Sequence, residues 1–261
     1  MKVKVYDLEG KAVDEVQLPS VFSEEIREDL IRRAVLSDES KEYQPKGSYR
    51  WAGLETSAHY VGRKEAFKSL KNRGQAMLPR EFFGGGIPGR VRRIPSAVGG
   101  RRAHPPKPWK KIVEKINKKE YVKALKSALA ATASIDIVKQ RGHKVLQSPI
   151  IVVDDLQELT KTKDVYAFLM KFIKEDLERV KKGKKRRTGV RRRKGGVKYP
   201  KSALIVVSKE WKAGSNIPGI DVKLVKELKV KDLAPGGHPG RLLIITKSAL
   251  EEINELWGDS K

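Results

Sequence analysis

The sequence predicts an α/β fold, a single layered domain whose mainly parallel sheet is flanked by helices. Two observations predict it: apolar strand patterns alternate with helix patterns along the chain, and Pro149–Val153 is a continuous apolar run of the kind buried on both faces of a parallel sheet. Two stretches interrupt the alternation. We therefore expect a globular domain from residues 1–44 and 109–261, a long irregular basic loop at 45–108 and a second, shorter basic loop at 182–199.

The N-terminal segment predicts two strands and a helix. Alternating residues at Val3–Tyr6 favour a strand, and a turn leads into a second strand around Val13–Leu18. Ser23 is the expected N-cap of the helix, because Glu24 and Glu25 follow it at the positive end of the helix dipole. The expected apolar face of this helix comprises Ile26, Leu30, Ile31, Ala34 and Val35.

Helical patterns return after the long loop. Pro108 suits the first turn of a helix, where its missing N–H costs nothing. Asn117 and Glu120 have the spacing of a capping box. A further helix from Ser134 should end before Gly142, which suits a left-handed cap. The expected inward residues of the capping-box helix are Val122, Leu125, Ala128 and Leu129.

The C-terminal part completes the layered pattern. A helix is expected at Asp164–Val180, and Ser248 with Glu251 forms a second capping box that opens a helix ending at Trp257. The expected inward residues of the first of these helices are Val165, Phe168, Leu169, Phe172, Ile173 and Leu177. Strand patterns recur at Ala203–Val207, Val222–Val225 and Leu242–Thr246.

Composition restricts the function classes. The 57 Lys and Arg outnumber the 32 Asp and Glu, so the net charge is +25 and the pI is about 10.1. A surface this positive concentrates phosphate polyanions. The absence of cysteine excludes disulfides, thiolate catalysis and cysteine metal sites. No apolar run reaches the roughly 20 residues of a membrane span, so we expect a soluble cytoplasmic protein with no membrane partner. We also expect no cofactor and no small-molecule substrate.

The two basic loops carry the functional signal. Residues 73–109 have neither hydrophobic period, and their many Gly and Pro residues resist regular structure, so this stretch should need a polyanion to become ordered. Residues 181–198 contain no acid. Arginines that pair with phosphates and aromatic rings that stack on unpaired bases favour RNA. The residues of the two basic loops, 45–108 and 182–199, that we expect to bind RNA include Arg50, Trp51, Arg63, His104, Lys107, Lys184, Lys185, Arg186, Arg187, Arg191, Arg192, Arg193 and Lys194.

Other functions are less well supported. Gly84–Gly89 matches a dinucleotide-binding spacing, but no strand pattern precedes it and an Arg-rich coil replaces the required helix. Asp154 and Asp155 follow a predicted parallel strand, where carboxylates can bind Mg²⁺, so an RNA-modifying or phosphotransfer enzyme is the main alternative. The favoured interpretation is that Asp154 or Asp155 caps the turn that follows. The four histidines have no metal-ligand spacing. A third alternative, a protein that packs DNA, fits the non-helical, aromatic-rich loop poorly.

Several peptide strings resemble one family. The strings NRGQA at Asn72–Ala76, GRVRRIP at Gly89–Pro95 and VGGRRAHPP at Val98–Pro106 resemble the extended loop of the universal large-subunit ribosomal protein four family. Pro149–Asp155 and Gly237–Leu242 resemble its globular domain, so the resemblance covers essentially the whole chain. The Ala-His-Pro-Pro string and the long C-terminal half are similar to the archaeal and eukaryotic branch, and the absence of the long eukaryotic tail favours an archaeal source.

The resemblance implies a non-catalytic structural constituent of the large ribosomal subunit, one that binds several ribosomal RNA domains and helps early subunit assembly. Its loop would form part of the polypeptide exit tunnel wall, so its partners would be ribosomal RNA, neighbouring large-subunit proteins and the nascent polypeptide. The arginines implied to contact RNA phosphates are Arg73, Arg80, Arg90, Arg92, Arg93, Arg101 and Arg102. The candidates for facing the tunnel are Gln75, Met77, Phe82, Phe83, Gly84, Gly85 and Gly86.

Overall fold

Strands and helices alternate along most of the chain in the computed structural model, which describes residues 1–189 and 195–258. The strands are β1 (Lys2–Tyr6), β2 (Ala12–Gln17), β3 (Arg80–Phe82), β4 (Pro88–Val91), β5 (Ile150–Val152), β6 (Lys185–Arg186), β7 (Val197–Lys198), β8 (Leu204–Val207), β9 (Asp221–Leu224) and β10 (Leu243–Thr246). The helices are α1 (Glu28–Ser40), α2 (Lys118–Ala133), α3 (Ile135–Gln140), α4 (Thr162–Lys182), α5 (Val230–Leu233) and α6 (Lys247–Trp257).

These elements belong to two compact units. Residues 43–112 form one, which we call the basic unit. Residues 1–42, together with the chain from residue 113 onward, form the other, which we call the sheet unit.

Within the described residues, six strands form the sheet of the sheet unit, in the order β2-β1-β5-β10-β8-β9. The edge strand β2 is antiparallel to β1, and the other pairs are parallel. Ile151 in β5 lies opposite Val5 on one side and Ile245 on the other. The predicted α/β fold with a mainly parallel sheet is confirmed, and its apolar central strands have the composition expected when helices cover both faces.

Alternate residues along the central strands contribute to two apolar cores. Ile151 and Ile245 face a core completed by α1, α2, α5 and α6. Ile150 and Ile244 face a second core, in which α4 supplies most of the helical side chains. The inward face predicted for α4 is confirmed for the buried residues Val165, Phe168, Leu169, Ile173 and Leu177, while Phe172 is partly buried.

Helix α1 begins later than the sequence predicts. Ser23 ends a short 3₁₀ turn, and the helix begins at Glu28 with Arg27 as its N-cap residue. The prediction was wrong because a distant residue fixes the entry to the helix: the Arg27 N–H donates to Ser127 Oγ in α2 at 2.6 Å. Ile26, predicted on the apolar face, precedes the helix and is exposed.

The segment that begins at Pro108 is not helical. Its polar backbone near Glu114 pairs with α1: Ser37 Oγ donates to the Glu114 carbonyl at 2.7 Å, and the Glu114 N–H donates to Ser40 Oγ at 3.0 Å. Helix α2 does begin after Asn117, but that side chain forms no capping hydrogen bond. Local spacing alone therefore gave the start of the helix but not the predicted capping contacts.

The remaining helical predictions have mixed outcomes. Gly142 follows α3 with φ of +97°, as expected for a left-handed cap. Val122, expected to point inward from α2, is exposed. Ser248 lies inside α6, whose N-cap residue is Thr246, so the second predicted capping box is also wrong.

The basic unit contains more regular structure than residues 73–109 predict. Strands β3 and β4 pair antiparallel, with Arg80 opposite Val91 and Phe82 opposite Pro88. A glycine turn makes the reversal possible: Gly85 has φ of +79°, in the left-handed region that glycine tolerates. Gly85 therefore permits the tight turn of a short hairpin, in addition to the backbone freedom expected from the glycines of this stretch.

Candidate nucleic-acid interface

The basic unit has far more cations than acids. Residues 43–112 contain sixteen Lys and Arg and three Glu. Glu65 lies 4.0 Å from Arg63, and Glu81 lies 3.5 Å from Arg92. The third acid, Glu55, accepts a hydrogen bond from a tyrosine hydroxyl. Most cations of this unit therefore have no carboxylate partner among the described residues.

The same unit has almost no apolar core. Of its residues with described burial, only Ala58, Ser69 and Leu70 are buried. A chain that buries so little gains little hydrophobic stabilisation to offset the entropy lost on ordering, roughly 1–2 kcal/mol per residue for the backbone. Neutralisation of its charge by a polyanion is a second source of stabilisation.

A small cluster of rings and cations organises the hairpin. His59 extends it, because the His59 N–H donates to the Arg80 carbonyl at 3.3 Å and the Arg80 N–H donates back at 3.2 Å. The His59 and Phe82 rings lie 5.4 Å apart, and Lys68 Nζ lies 5.5 Å from the Phe82 ring centroid. Lys68 is absent from the predicted set. Its place beside Phe67, a lysine next to an aromatic ring in a basic stretch, is the sequence signal that could have identified it.

The structure places most of the predicted RNA-binding residues at the surface. The exposed members in the basic unit are Arg50, Trp51, Arg63, Arg73, Arg90, Arg93, Arg101, Arg102, His104 and Lys107. Arg80 and Arg92 are partly buried. Arg80 Nε is buried and has no hydrogen-bond partner among the described residues. Unpaired donors of this kind are unusual and favour an acceptor from outside the chain.

Exposed aromatic rings accompany the arginines. Trp51 and Phe67 are more than half exposed. The Arg50 guanidinium lies 5.2 Å from the Trp109 ring centroid, in a cation–π contact. Exposed rings beside cations provide stacking platforms for unpaired bases next to phosphate ligands.

The candidates for facing the tunnel lie on and just before the hairpin. Gln75 and Met77 are exposed and precede β3, while Phe82 is partly buried in that strand. The remaining candidates form the turn between β3 and β4 or border it: Phe83, Gly84, Gly85 and Gly86.

The described residues of the second basic loop contain an antiparallel strand pair in the sheet unit, which we call the β6–β7 hairpin. Strands β6 and β7 place Lys185 directly opposite Lys198, a like-charge pair that destabilises the hairpin. Lys184 Nζ lies 6.0 Å from the Tyr199 ring centroid. The predicted residues Lys184, Lys185, Arg186 and Arg187 are exposed. Arg191, Arg192, Arg193 and Lys194 lie outside the described residues.

The two acids that raised the enzyme alternative have separate environments. Asp154 Oδ1 accepts hydrogen bonds from the Ser248 N–H at 3.1 Å and from Ser248 Oγ at 2.6 Å, and also from Gln157 at 3.3 Å. Asp154 therefore caps the first turn of α6, not the turn that directly follows it. Asp155 is exposed. Among the residues that the structure describes, no group of acids and histidines could hold a metal ion.

The sequence matches the family described as "Ribosomal protein L4/L1 family" over residues 16–256. The chain belongs to this family. A relative from Methanocaldococcus jannaschii, named large ribosomal subunit protein uL4, is 47% identical over 98% of this chain and 99% of its own length.

Other archaeal relatives agree. Proteins with the same name from Archaeoglobus fulgidus and Methanopyrus kandleri are 45% and 44% identical. The first alignment covers 98% of this chain and 99% of the relative, and the second covers 99% and 100%. The predicted family and its archaeal type are thereby confirmed. No helix in the described part of this L4/L1 family member is long and apolar enough to cross a lipid bilayer.

Proposed function

We propose that this chain is a structural, non-catalytic constituent of the large ribosomal subunit and binds ribosomal RNA through two insertions, residues 45–108 and 182–199. The family and the printed names of the relatives support the ribosomal role. The observation that supports RNA binding most directly is that most cations of the basic unit have no carboxylate partner among the described residues, while only three of its residues with described burial are buried.

The proposed mechanism is ordering on binding. Exposed arginines neutralise phosphates, exposed rings stack on unpaired bases, and the sheet unit anchors the base of each loop. Contacts of this kind with several RNA domains would help early subunit assembly. In the assembled particle the β3–β4 hairpin would form part of the exit tunnel wall, beside the nascent polypeptide. Neighbouring large-subunit proteins would be further partners, and the protein would function in the cytoplasm.

Catalysis has weaker support. Asp154 is occupied by its hydrogen bonds to the first turn of α6, which is a structural role. Asp155 is exposed and belongs to no group of three or more acids and histidines that could hold a metal ion among the described residues.

The salt dependence of RNA binding tests the proposal. The affinity of the full chain for large-subunit RNA should be measured across a salt series. About eight phosphate contacts predict a slope of log affinity against log salt near −6 to −7. A variant that replaces Arg73, Arg90, Arg93, Arg101 and Arg102 with Gln should reduce the steepness of this slope by about 4.

The matched control removes the same charge from exposed lysines of the sheet unit. It replaces Lys11, Lys163, Lys174, Lys209 and Lys212 with Gln. This control should retain most of the wild-type slope. An equal loss in both variants would mean that net charge and not the basic unit determines binding, and a slope near zero for the wild-type chain would contradict the proposal altogether.

A further inference from the structure

The sheet unit contains a cleft of about 1080 Å³ at the amino ends of β8, β9 and β10. Its walls come from segments that precede these strands, from α1, from the ends of α3 and α4, and from the β6–β7 hairpin. Protein sites for small ligands typically measure roughly 300–1,000 Å³. The cleft therefore has room for a sizeable ligand.

Basic side chains dominate the charge of the cleft. Three of the cations that line it have acid partners: Arg32 with Glu28 at 3.1 Å, Lys201 with Asp221 at 2.7 Å, and Arg179 with Asp176 at 2.8 Å. Three more have no carboxylate partner among the described residues, and they are Arg141, Arg187 and Lys198. The cleft thus keeps a positive excess after its internal ion pairs are formed.

Arg141 shows that this excess is costly. Its guanidinium donates to the carbonyls of Pro235 at 2.8 Å and Pro239 at 3.3 Å, and also to the His238 carbonyl. These contacts hold the side chain in place but do not neutralise it. Burial, with repulsion from nearby Arg241 and Arg179, lowers the pKa of Arg141 to about 10. An anion in the cleft would relieve this repulsion.

The chemistry of the lining favours a nucleic-acid backbone as that anion. Arg187 and Lys198 belong to the hairpin of the second basic loop, so the positive surface of the cleft continues along this hairpin. An anion along the same surface would reduce the repulsion between Lys185 and Lys198. Tyr199 also lines the cleft and supplies a partly exposed ring for stacking. A single carboxylate would satisfy one guanidinium, whereas successive phosphates match cations spaced along a groove.

We infer that this cleft binds the phosphate backbone of a non-duplex segment of ribosomal RNA, with Arg141, Arg187 and Lys198 as its phosphate ligands. The inference rests on the proposed function, because it takes ribosomal RNA as the partner. It extends the surface of the second basic loop into the cleft of the sheet unit, where Arg141 is the additional phosphate ligand.

A chemical footprint tests the inference on the full chain. Phenylglyoxal modifies arginines and an acetylating reagent modifies lysines, and mass spectrometry reads each residue with and without large-subunit RNA. We expect RNA to slow modification of Arg187 and Lys198 several-fold, together with Arg73 and Arg101 of the basic unit. Protection of Arg73, Arg101, Lys185 and Arg186 without protection of Arg187 and Lys198 would overturn the inference and leave the proposed function standing, because Lys185 and Arg186 lie in the second basic loop but do not line the cleft. No protection at any of these residues would contradict both.

A paired variant gives a second measurement. Arg187→Gln with Lys198→Gln removes two exposed side chains that make no side-chain hydrogen bond among the described residues, so the fold should be unchanged. Its salt slope should be shallower by about 1.5, as expected for two lost phosphate contacts. Lys209→Gln with Lys212→Gln, also exposed in the sheet unit, is the matched control and should retain the wild-type slope.

The same variant distinguishes an acidic protein partner. A slope equal to that of the wild-type chain would show that the cleft does not contact RNA. Protection of Arg187 and Lys198 by isolated large-subunit proteins, with no protection by RNA, would assign the cleft to a protein and overturn the inference. Arg141→Lys keeps the charge but loses the planar fork, so it should weaken RNA binding less than Arg141→Met does.

Discussion

The sheet unit and the basic unit differ in what offsets the conformational entropy that each loses on ordering. Every residue of β5, β8 and β10 is buried, and the two apolar cores on either side of the sheet offset the entropy of ordering that unit. The basic unit buries three of its residues with described burial and keeps most of its cations unpaired. We therefore expect the sheet unit to be stable alone and the basic unit to gain stability from a bound polyanion.

The two units also differ in how their buried arginines are hydrogen-bonded. Arg241 in the sheet unit is almost fully buried, but its guanidinium donates to Asp221 at 2.6 Å and to the carbonyls of Ser202, Ala203 and Asp232. These contacts within the sheet unit offset the desolvation free energy of the buried guanidinium. Arg80 in the basic unit has a buried Nε without a hydrogen-bond partner among the described residues.

The largest expected effect is in hydrogen exchange. Amides of β5, β8 and β10 should exchange only through global unfolding, which costs roughly 5–15 kcal/mol in most domains. Amides of residues 43–112 should open at a cost near zero in the free protein. The two sets of rates, measured by mass spectrometry, should therefore differ in protection by a factor of at least about a thousand.

Addition of large-subunit RNA sharpens this comparison. It should raise protection within residues 43–112 and leave the central strands unchanged. Equal protection of the two units in the free protein would show that the basic unit is stable by itself.

The second effect concerns a buried carboxylate of the sheet unit. Burial alone would raise the pKa of Asp176, but hydrogen bonds from His143, Arg179 and Ser202 outweigh it and lower the pKa from 3.8 to about 2. Asp176→Asn should reduce the free energy of unfolding by about 3–5 kcal/mol, because Arg179 loses its buried counter-ion. Urea unfolding at pH 7 measures this loss. Glu175→Gln, an exposed neighbour, is the control and should change stability by no more than about 0.5 kcal/mol.

The lowered pKa of Asp176 also predicts a pH dependence. A carboxyl group whose pKa is lower in the folded state stabilises the fold above the unfolded pKa, and this contribution disappears as the pH falls. The wild-type chain should therefore lose about 2 kcal/mol between pH 4 and pH 2 that Asp176→Asn does not lose. Identical acid profiles for the two chains would contradict the assignment.

The two units also explain why some features could be predicted from the sequence and others could not. The apolar run at Pro149–Val153 gave a central strand correctly, because burial on both faces leaves a local pattern. The cap predicted at Ser23 failed because the Arg27 N–H pairs with a hydroxyl 100 residues away, at Ser127. The short hairpin at β3 and β4 was also missed, since glycines that loosen a chain also permit tight turns.

The candidate sites also differ in whether neighbouring residues in the sequence or contacts between distant segments define them. The cations of the basic unit are dense along the chain, so composition alone identified them. The cleft gathers Arg32, Arg141, Lys198 and His238 from segments far apart in the sequence. Arg32 and Arg141 stand in no distinctive motif, and only the fold brings them close to Lys198 of the second basic loop and to His238 of the Gly237–Leu242 string.

The third effect separates stacking from general apolar contact. Trp51 is exposed in the basic unit, so Trp51→Ala should change the stability of the free chain by no more than about 0.5 kcal/mol. It should nevertheless weaken RNA binding by about 1–3 kcal/mol if a base stacks on the ring. Titration of RNA at fixed salt measures this change. Val98→Ala removes an even more exposed apolar side chain that cannot stack, and it should leave affinity unchanged. Equal losses in the two variants would show that the ring has no special role.

The smallest effect concerns the pair of acids in the sheet unit. Asp154→Ala removes the acceptor at the first turn of α6, so it should reduce the free energy of unfolding by about 0.5–2 kcal/mol. Asp155→Ala, its exposed neighbour, should cost at most about 0.5 kcal/mol. Both variants should bind large-subunit RNA as the wild-type chain does, because neither acid belongs to a basic surface. Equal stability of the two variants would contradict the capping role. The enzyme alternative makes a different prediction for the Asp154→Asn, Asp155→Asn double variant. If this variant lost an RNA-modifying turnover but still bound RNA, the result would favour that alternative and place a catalytic site in the sheet unit.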